Sequence, residues 1–392
     1  MVRNIFKSVF FLSLILILSF QPLLAQEADF DVKAKSAILI EYETGEVLYQ
    51  KNAEEELPPA SMTKIMTMLL LMEALEEGRV KLEDKLVCSE FAASMGGSQI
   101  WLEPGEEMSL EDLMKAIAIV SANDASVVVA EYLYGTEEAF VRRMNERARE
   151  LGLKNSYFYN TNGLPPDNPD VQGTYTSARD LSILARELIK HKKVLEWTST
   201  WIDYLRNGKS VLNNTNRLVR FYPGADGIKT GYTQEAQYCL TSTAERDGLR
   251  FIAVVMGVED SVTRFEESRK LLDYGFTLFQ PFVVAEEKEV LEIINIPNGK
   301  EEQAKGIVEE EIIVPVRRDR EEEIRRVIEI EKRISAPLKK GDKIGTVKVY
   351  RGNLLLKTAD LVIDQDVEKA SFFQIFRRII RYQINSLTAL IS

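Results

Sequence analysis

The chain has 392 residues, of which 45% are apolar and 28% are charged, and its formal net charge is −11. This length predicts two domains with sizeable cores, and the acidic balance argues against nucleic acid as a partner, because phosphate binding requires concentrated lysine and arginine. The two cysteines, Cys88 and Cys239, form no CxxC pair, which makes a disulfide framework or a structural zinc site improbable, while a single bond between them stays compatible with export.

The N-terminal segment predicts export. Arg3 and Lys7 precede the apolar run Val9–Phe20, and the small residue Ala25 stands before a polar stretch. A charged start, an apolar run and a small residue at a cleavage point are typical of a signal peptide, here residues 1–25. The alternatives are an uncleaved anchor or a buried helix, although the run is short for a spanning helix, which needs about 20 apolar residues.

Residues 30–283 mix strand and helix patterns. The predicted elements are a hairpin (36–42 and 46–50), a helix apolar nearly all round (61–77), helices over 109–150 with a break near Gly135, a loop (160–173), a helix (177–190), two closely joined strands (238–244 and 250–257) and a helix (261–278). Closely joined strand pairs favour an antiparallel sheet packed with helices. The pattern therefore predicts an α+β catalytic domain.

The pattern of apolar and charged residues changes after this domain. Residues 284–366 carry short runs of valine and isoleucine among charges and turns, which predict a small all-β domain. Residues 367–392 return to a helical period, with Phe372, Phe376 and Ile379 on one stripe and arginines facing away. A basic amphipathic helix at a chain end predicts association with a membrane surface, and the alternative is a helix docked on its own protein.

Ser61-Met-Thr-Lys64 is the first element that carries chemistry. It lies at the first turn of the predicted buried helix, where spacing i, i+3 places both side chains on one face. The N-terminus of a helix favours a developing anion. A serine needs an adjacent base to become a nucleophile, and a lysine can serve only if its pKa falls.

Two further elements follow in order. They are Ser121-Ala-Asn123 and Lys229-Thr-Gly231, and each pattern occurs once in the chain. The order Ser-x-x-Lys, Ser-x-Asn, Lys-Thr-Gly is that of penicillin-binding proteins and class A β-lactamases.

The chain resembles the low-molecular-mass penicillin-binding proteins that act as D-alanyl-D-alanine carboxypeptidases. The resemblance covers residues 30–385 and includes segments 59–64, 97–105, 121–125, 226–231 and 267–272, the β-rich domain and the terminal helix. It implies a penicillin-binding, β-lactamase-like fold and removal of the terminal D-alanine from peptidoglycan stems through an acyl-enzyme. It also implies covalent binding of β-lactam antibiotics, no cofactor or metal, and a site outside the cytoplasmic membrane.

The resemblance also implies a role for each matched residue. Ser61 is the nucleophile, Lys64 its base, and Ser121 a proton relay to the leaving amine. The residues implied in substrate binding are Asn123, Lys229, Thr230, Gly231, Tyr232 and Arg264, with Thr230 and Arg264 at the terminal carboxylate. Asn123 is also implied to orient Lys64. The backbone N–H groups of Ser61 and Tyr232 are the implied oxyanion donors.

The chain departs from the family pattern at three places. Ser-Ala-Asn replaces the commoner Ser-Gly-Asn, Gln237 stands where glycine is usual, and Asn162 stands where many members have histidine. Gln237 adds bulk beside the third motif, which is expected to change the shape of the pocket there. The single histidine, His191, is interpreted as a surface residue at a helix end.

Three other functions share some of these features. A class A β-lactamase needs a Glu-x-x-Leu-Asn loop, and the nearest match, Glu150–Asn155, has its asparagine one place late and begins at the end of a predicted helix. A non-catalytic penicillin sensor has no need of a nucleophile–base pair. An endopeptidase acting on D-alanyl cross-links uses the same residues, and the motifs do not separate it from the carboxypeptidase.

Overall fold

The structure, a computed structural model, describes residues 30–319 and 321–391. The predicted signal peptide, residues 1–25, lies outside the described residues. The chain divides after Val32 into two units, and the description below concerns the second, which begins at Lys33.

A five-stranded antiparallel sheet with strand order β2-β1-β9-β8-β7 forms the centre of this unit. Its strands are β1 (Ser36–Glu41), β2 (Val47–Lys51), β7 (Ala225–Thr233), β8 (Gln237–Arg246) and β9 (Leu249–Val258). The predicted N-terminal hairpin forms, with Ala37 opposite Lys51. Strand β9 is buried along its whole length, as its run of apolar residues requires. Strand β7 lies at an edge, so one side of its backbone is paired with no other strand of the sheet.

Helices cover both faces of the sheet. In chain order the helices are α1 (Lys64–Glu76), α2 (Glu90–Ala93), α3 (Leu110–Lys115), α4 (Asn123–Tyr134), α5 (Glu137–Glu150), α6 (Ala178–Lys190), α7 (Lys193–Thr198), α8 (Leu218–Phe221) and α9 (Ser261–Leu278). Ile252 and Val254 of β9 belong to the large core shared with α1 and α6. The alternate residue Phe251 meets Phe276 of α9 edge-on, with ring centroids 4.8 Å apart. Because side chains alternate along a strand, the sheet is a middle layer between two sets of helices.

The helical region 109–150 contains one more break than the sequence predicts. The expected break occurs at Gly135, which has φ +82°. A second break follows α3, where a π-helical turn (Ala116–Val120) ends at Ser121 with φ +67° before α4 begins. Apolar residues continue through this break, so the hydrophobic pattern did not reveal it. Two short hairpins complete this part: β3 (Lys85–Val87) with β4 (Glu107–Ser109), and β5 (Ile202–Leu205) with β6 (Ser210–Asn213).

The C-terminal part is all-β, as predicted. Its strands are β10 (Phe279–Ala285), β11 (Val290–Asn295), β12 (Gln303–Ile307), β13 (Ile312–Arg317), β14 (Ile324–Ile330), β15 (Lys343–Arg351) and β16 (Leu354–Ile363). Strands β11, β12, β16, β15 and β14 form one sheet in that order, and β10 pairs with β13. This part has its own apolar core, and ion pairs from Arg351 to Glu46 and from Lys357 to Glu43 connect it to the first hairpin.

The last helix, α10 (Phe372–Ile391), follows a short stretch that pairs with the β-rich part. Large apolar side chains on its first turns are exposed to solvent, among them Phe372 (75%), Phe373 (79%) and Phe376 (52%). Arg378 holds the helix to the β-rich part by donating hydrogen bonds to the carbonyls of Gly299 and Lys300. Within the described part of the chain, no helix combines the length and apolar character needed to cross a membrane.

The two cysteines do not pair. Cys88 and Cys239 are both buried free thiols. His191 ends α6, and its ring Nδ1 lies 2.7 Å from the Glu76 carboxylate. The position at a helix end is confirmed, but the side chain is only 11% exposed, so the expectation of a surface position is wrong: the ring lies against Glu76 at the end of α1.

Candidate active site

Ser61 and Lys64 meet at the start of α1. A short 3-10 turn (Ala60–Thr63) carries the serine, and Lys64 begins the helix. Lys64 is completely buried, and its Nζ lies 3.1 Å from Ser61 Oγ, 2.6 Å from Asn123 Oδ1 and 3.0 Å from the carbonyl oxygen of Asn162. A neutral amine has two protons and one lone pair. Donation to Asn123 and Asn162 therefore leaves the lone pair for the hydroxyl proton of Ser61.

The electrostatics favour that neutral amine. Burial lowers the pKa of Lys64 well below its usual value of 10.5, and the nearby charge of Lys229 lowers it further, against an opposing effect of Asp124. A charged amine loses its hydration in such a site, so the uncharged form is favoured. The arrangement thus places a potential base beside a potential nucleophile.

Ser121 and Asn123 lie at the unpredicted break before α4. The Ser121 side chain is buried, and its hydroxyl has no hydrogen-bond partner among the described residues. Asn123 is held on three sides: its N–H donates to Ser98 O, its Nδ2 donates to Gly96 O, and its Oδ1 accepts from Lys64. The next residue, Asp124, accepts hydrogen bonds from the N–H groups of Ile100 and Leu102. These contacts fix segment 96–102 against the second motif.

Lys229, Thr230 and Gly231 lie on the edge strand β7. Lys229 is buried, and its burial, followed by the charge of Arg264, lowers the pKa of Lys229 to about 7. Thr230 Oγ1 donates to Thr215 Oγ1 at 2.7 Å. A Cβ on Gly231 would lie 2.5 Å from Pro59 O, so only glycine allows β7 to approach the turn that carries Ser61.

Arg264 of α9 supports the strand from behind. Its Nη1 donates to the carbonyls of Gly231 and Cys239, at 3.3 and 3.4 Å, and its guanidinium lies over the rings of Tyr238 and Phe265. Burial lowers the pKa of Arg264 to about 10. The structure therefore places this arginine against the backbone of the third motif, with its Nε unpartnered among the described residues.

Tyr232 and Gln237 flank the turn between β7 and β8. Tyr232 is 55% exposed, and its ring lies against that of Tyr238 in a tilted arrangement with ring centroids 4.4 Å apart. Gln237 adopts φ +57°, a backbone conformation that explains why glycine suits this place, and it pairs with Thr233 across the turn.

Three contributions to the site were not assigned from the sequence. The Asn162 carbonyl accepts from Lys64, Thr215 meets Thr230, and Gly163 allows the 160–173 loop to dock, since its Cβ would lie 1.9 Å from Ala60 O. Gly163 has φ +82°, and Asn-Gly is a turn signal that marks such a position. Nothing in the local sequence indicates the contact of the Asn162 carbonyl with Lys64 or that of Thr215 with Thr230.

Glu150, the nearest match to a β-lactamase deacylation base, is the last residue of α5. Its carboxylate pairs with Arg143 at 2.5 Å. No group of three or more histidine, cysteine, aspartate or glutamate side chains in residues 30–319 and 321–391 is arranged to hold a metal ion.

Comparison with protein families matches both parts of the chain. Residues 23–260 match the family described as D-alanyl-D-alanine carboxypeptidase, and residues 279–369 match the C-terminal domain of penicillin-binding protein 5. The D-alanyl-D-alanine carboxypeptidase DacF of Bacillus subtilis is 44% identical over 350 residues, covering 88% of this chain and 89% of DacF. DacC of Escherichia coli is 33% identical over 350 residues, covering 87% of this chain and 86% of DacC.

Solved structures agree with these matches. Penicillin-binding protein 5 from Haemophilus influenzae is 30% identical with a TM-score of 0.64, covering 87% of this chain and 99% of that one. Penicillin-binding protein D2 from Listeria monocytogenes, solved in an ampicillin-bound form, is 33% identical with a TM-score of 0.58, covering 63% of this chain and 99% of that one.

Proposed function

The chain belongs to the D-alanyl-D-alanine carboxypeptidase family of serine peptidases, and on this basis we propose that it removes the terminal D-alanine from peptidoglycan stems through an acyl-enzyme on Ser61. The observation that carries the proposal is the contact of Ser61 Oγ with the buried Nζ of Lys64, at 3.1 Å. The family match and the similar penicillin-binding structures support the conclusion that the chain is a serine peptidase that binds peptidoglycan and β-lactams.

The reaction begins with proton transfer within this pair. Ser61 Oγ attacks the carbonyl carbon between the two D-alanines while its proton passes to the neutral Lys64 Nζ. The carbonyl oxygen becomes an oxyanion, and in this proposal the N–H groups of Ser61 and Tyr232 stabilise it. Removing one such donor in other enzymes costs a factor of about 10² to 10³.

Collapse of the intermediate needs a proton on the leaving nitrogen. The unpartnered hydroxyl of Ser121 passes the proton from Lys64 to that nitrogen, the C–N bond breaks, and D-alanine leaves. Water then attacks the ester carbonyl and gives one proton to the neutral Lys64 Nζ, the ester C–O bond breaks, and Lys64 returns that proton to Ser61 Oγ. During all of these steps Asn123 keeps Lys64 in place, because its Oδ1 accepts a 2.6 Å hydrogen bond from Lys64 Nζ.

The terminal carboxylate of the substrate binds beside Thr230 in this proposal. Lys229 supplies positive charge, Thr230 supplies a hydroxyl, and Gly231 lets the strand come close to Ser61. Arg264, held to the Gly231 carbonyl, contributes its charge through the strand and keeps β7 in position.

A mass time course with benzylpenicillin tests the proposal. We expect an adduct of one drug per chain that persists for minutes and release of D-alanine from a soluble stem peptide. Rapid hydrolysis of the drug would favour a β-lactamase, a reading that the Arg143–Glu150 ion pair already disfavours. An intact drug without an adduct would contradict the acyl-enzyme.

The pH profile is expected to be bell-shaped, because the two buried lysines need opposite protonation states. Only neutral Lys64 can accept a proton, so kcat/KM rises as pH rises through its lowered pKa. Only charged Lys229 attracts the carboxylate, so kcat/KM falls as pH rises through the pKa of Lys229, which burial also lowers. Rates of D-alanine release across pH measure both limbs.

The Lys229→Arg variant provides the control for the falling limb. Arginine stays charged over the whole range, so this limb is expected to disappear while the rising limb remains. A wild-type profile that is flat between mild acid and mild alkali would contradict the base role of Lys64.

The chain is further proposed to consist of an exported precursor segment (1–25), a catalytic domain (30–283), a β-rich domain (284–366) and a membrane-associating helical segment (367–392). Export would place the enzyme at the outer face of the cytoplasmic membrane. The exposed aromatic side chains at the start of α10 support the membrane role, since such groups favour the boundary between lipid and water.

Truncation before Phe372 is expected to release the signal-free protein from phospholipid vesicles without lowering its activity on a soluble peptide. Residues 367–370 are kept, because Val367 and Lys369 form bridges with the β-rich part. Co-sedimentation with vesicles measures the effect, and Phe373→Ser/Phe376→Ser in the full-length helix is the matched variant. Unchanged vesicle binding after truncation would exclude α10 as the attachment.

A further inference from the structure

A loop of the β-rich part concentrates positive charge at one end of that part. Residues 332–340 contain two basic pairs, Lys332-Arg333 and Lys339-Lys340, and no acidic residue, in a chain whose formal net charge is −11. All four basic residues are exposed, and none of them has an ion-pair partner among the described residues. We refer to this segment as the basic loop. It takes no part in the catalytic steps proposed above.

Asn298 joins the basic loop to the start of α10. Its Oδ1 accepts from the N–H of Ala336 in the loop at 2.9 Å, and its Nδ2 donates to the Ala336 carbonyl at 3.0 Å. The carbonyl of Asn298 itself accepts from the N–H of Ala370, two residues before α10 begins. In addition, Leu338 and Val367 exchange backbone hydrogen bonds in both directions. The basic loop and the first turn of α10 are therefore held together at the same end of the β-rich part.

Two neighbouring acids are oriented towards the backbone of the basic loop rather than towards its ammonium groups. Asp342 accepts a hydrogen bond from the backbone N–H of Lys339, and Asp366 accepts one from the backbone N–H of Lys340, both at 2.7 Å. These bonds fix the shape of the loop, while the two lysine side chains stay exposed to solvent. The ammonium groups are therefore available to an anion outside the protein.

The start of α10 places an apolar surface next to this charge. Phe372, Phe373 and Phe376 are exposed, and Arg377 and Arg381 of the same helix add exposed positive charge. Aromatic side chains favour the boundary between lipid and water, and lysine and arginine side chains beside them reach the headgroups. A soluble anionic polymer offers no apolar phase to the phenylalanines. The surface of an anionic bilayer suits both the aromatic and the basic groups.

We propose that the basic loop binds the anionic headgroups of the bilayer on which α10 lies, so that the β-rich part itself contacts the membrane. The inference rests on the proposed membrane role of α10 and adds a second, independent contact to it. A single weak anchor binds membranes reversibly, and a basic patch is a common second contribution to stable attachment. Each lysine or arginine close to an anionic surface strengthens binding about fivefold. Because Asn298 holds the loop beside the helix, the two contacts together determine how the β-rich part is oriented on the membrane.

Binding to vesicles of two compositions tests this contact. The signal-free protein with α10 intact is titrated with vesicles of phosphatidylcholine alone and with vesicles that contain about one-third phosphatidylglycerol, an anionic lipid. We expect Lys339→Gln/Lys340→Gln to lower the affinity for the mixed vesicles about ten- to thirtyfold and to leave the affinity for phosphatidylcholine vesicles unchanged. The difference between variant and wild type should largely disappear in about 1 M salt, where the screening length falls to about 3 Å.

A matched variant separates the basic loop from the general charge of the protein. Lys81→Gln/Lys154→Gln changes the net charge equally at exposed lysines of the catalytic domain, and it should bind both kinds of vesicle as the wild type does. Equal losses in the two variants, or unchanged binding of Lys339→Gln/Lys340→Gln to mixed vesicles, would overturn the inference.

Two other outcomes would also overturn it, and they differ from each other. Tight binding of long-chain polyphosphate by the protein truncated before Phe372 would mean that the basic loop serves a soluble polymer instead of a bilayer. Failure of the proposed role of α10 has its own signature, because the same truncation would then leave binding to phosphatidylcholine vesicles unchanged and remove the premise of the inference.

Discussion

Replacement of Ser61 by alanine is expected to abolish D-alanine release and the benzylpenicillin adduct together. The hydroxyl is the only group that forms the covalent bond in the proposed reaction, and loss of a serine nucleophile in another serine peptidase costs about 10⁶-fold in kcat. We therefore expect a fall of at least about 10⁴-fold here. Intact mass after incubation with the drug, and D-alanine released from a stem peptide, measure the two effects.

The stability of this variant should stay close to that of the wild type. Ser61 lies at the surface of the cleft and is only partly buried, so removal of its hydroxyl leaves no cavity in the core. Ser94→Ala, at an exposed serine outside the site, is the matched control and should form the adduct normally. A persistent adduct on Ser61→Ala would locate the nucleophile elsewhere and refute the assignment.

We expect the second large effect from the replacement of Lys64 by arginine. Arginine carries a positive charge and cannot lose its proton, so it cannot take the proton of Ser61. General bases contribute about 10²- to 10⁴-fold to rates, and we expect the rate of acylation by benzylpenicillin to fall by a similar factor. The rate constant for adduct formation, measured by intact mass over time, gives the result directly.

Two further variants are needed to interpret that result. Lys64→Met removes the amine but keeps an unbranched side chain, and it should lose acylation to the same degree if proton transfer is the role of Lys64. Lys209→Arg, at an exposed lysine outside the site, should acylate at the wild-type rate. Rapid acylation of Lys64→Arg would mean that another group accepts the proton, and the 3.1 Å contact with Ser61 would then be structural.

Much of the fold was readable from local patterns. The apolar helix after Pro59 is the buried α1, the run around Val254 is the buried β9, and the short strands after residue 284 form the all-β part. These predictions succeed because burial and periodicity are properties of neighbouring residues. The same reasoning missed the break at Ser121, because apolar residues line both sides of it and its left-handed backbone leaves no mark on the hydrophobic pattern.

The sequence by itself determined the chemical groups of the site and their order: Ser61 and Lys64 one helical turn apart, then Ser121 and Asn123, then Lys229. The resemblance implied that Asn123 orients Lys64, and the tertiary structure brings these two residues together across 59 positions. Tertiary structure alone decided that Lys64 also meets the carbonyl of Asn162, 98 residues away. It also decided that Arg264 faces the backbone of β7. Contacts at such separations depend on how helices and sheet pack together, and the low pKa of Lys64 follows from that packing because it removes water from the amine.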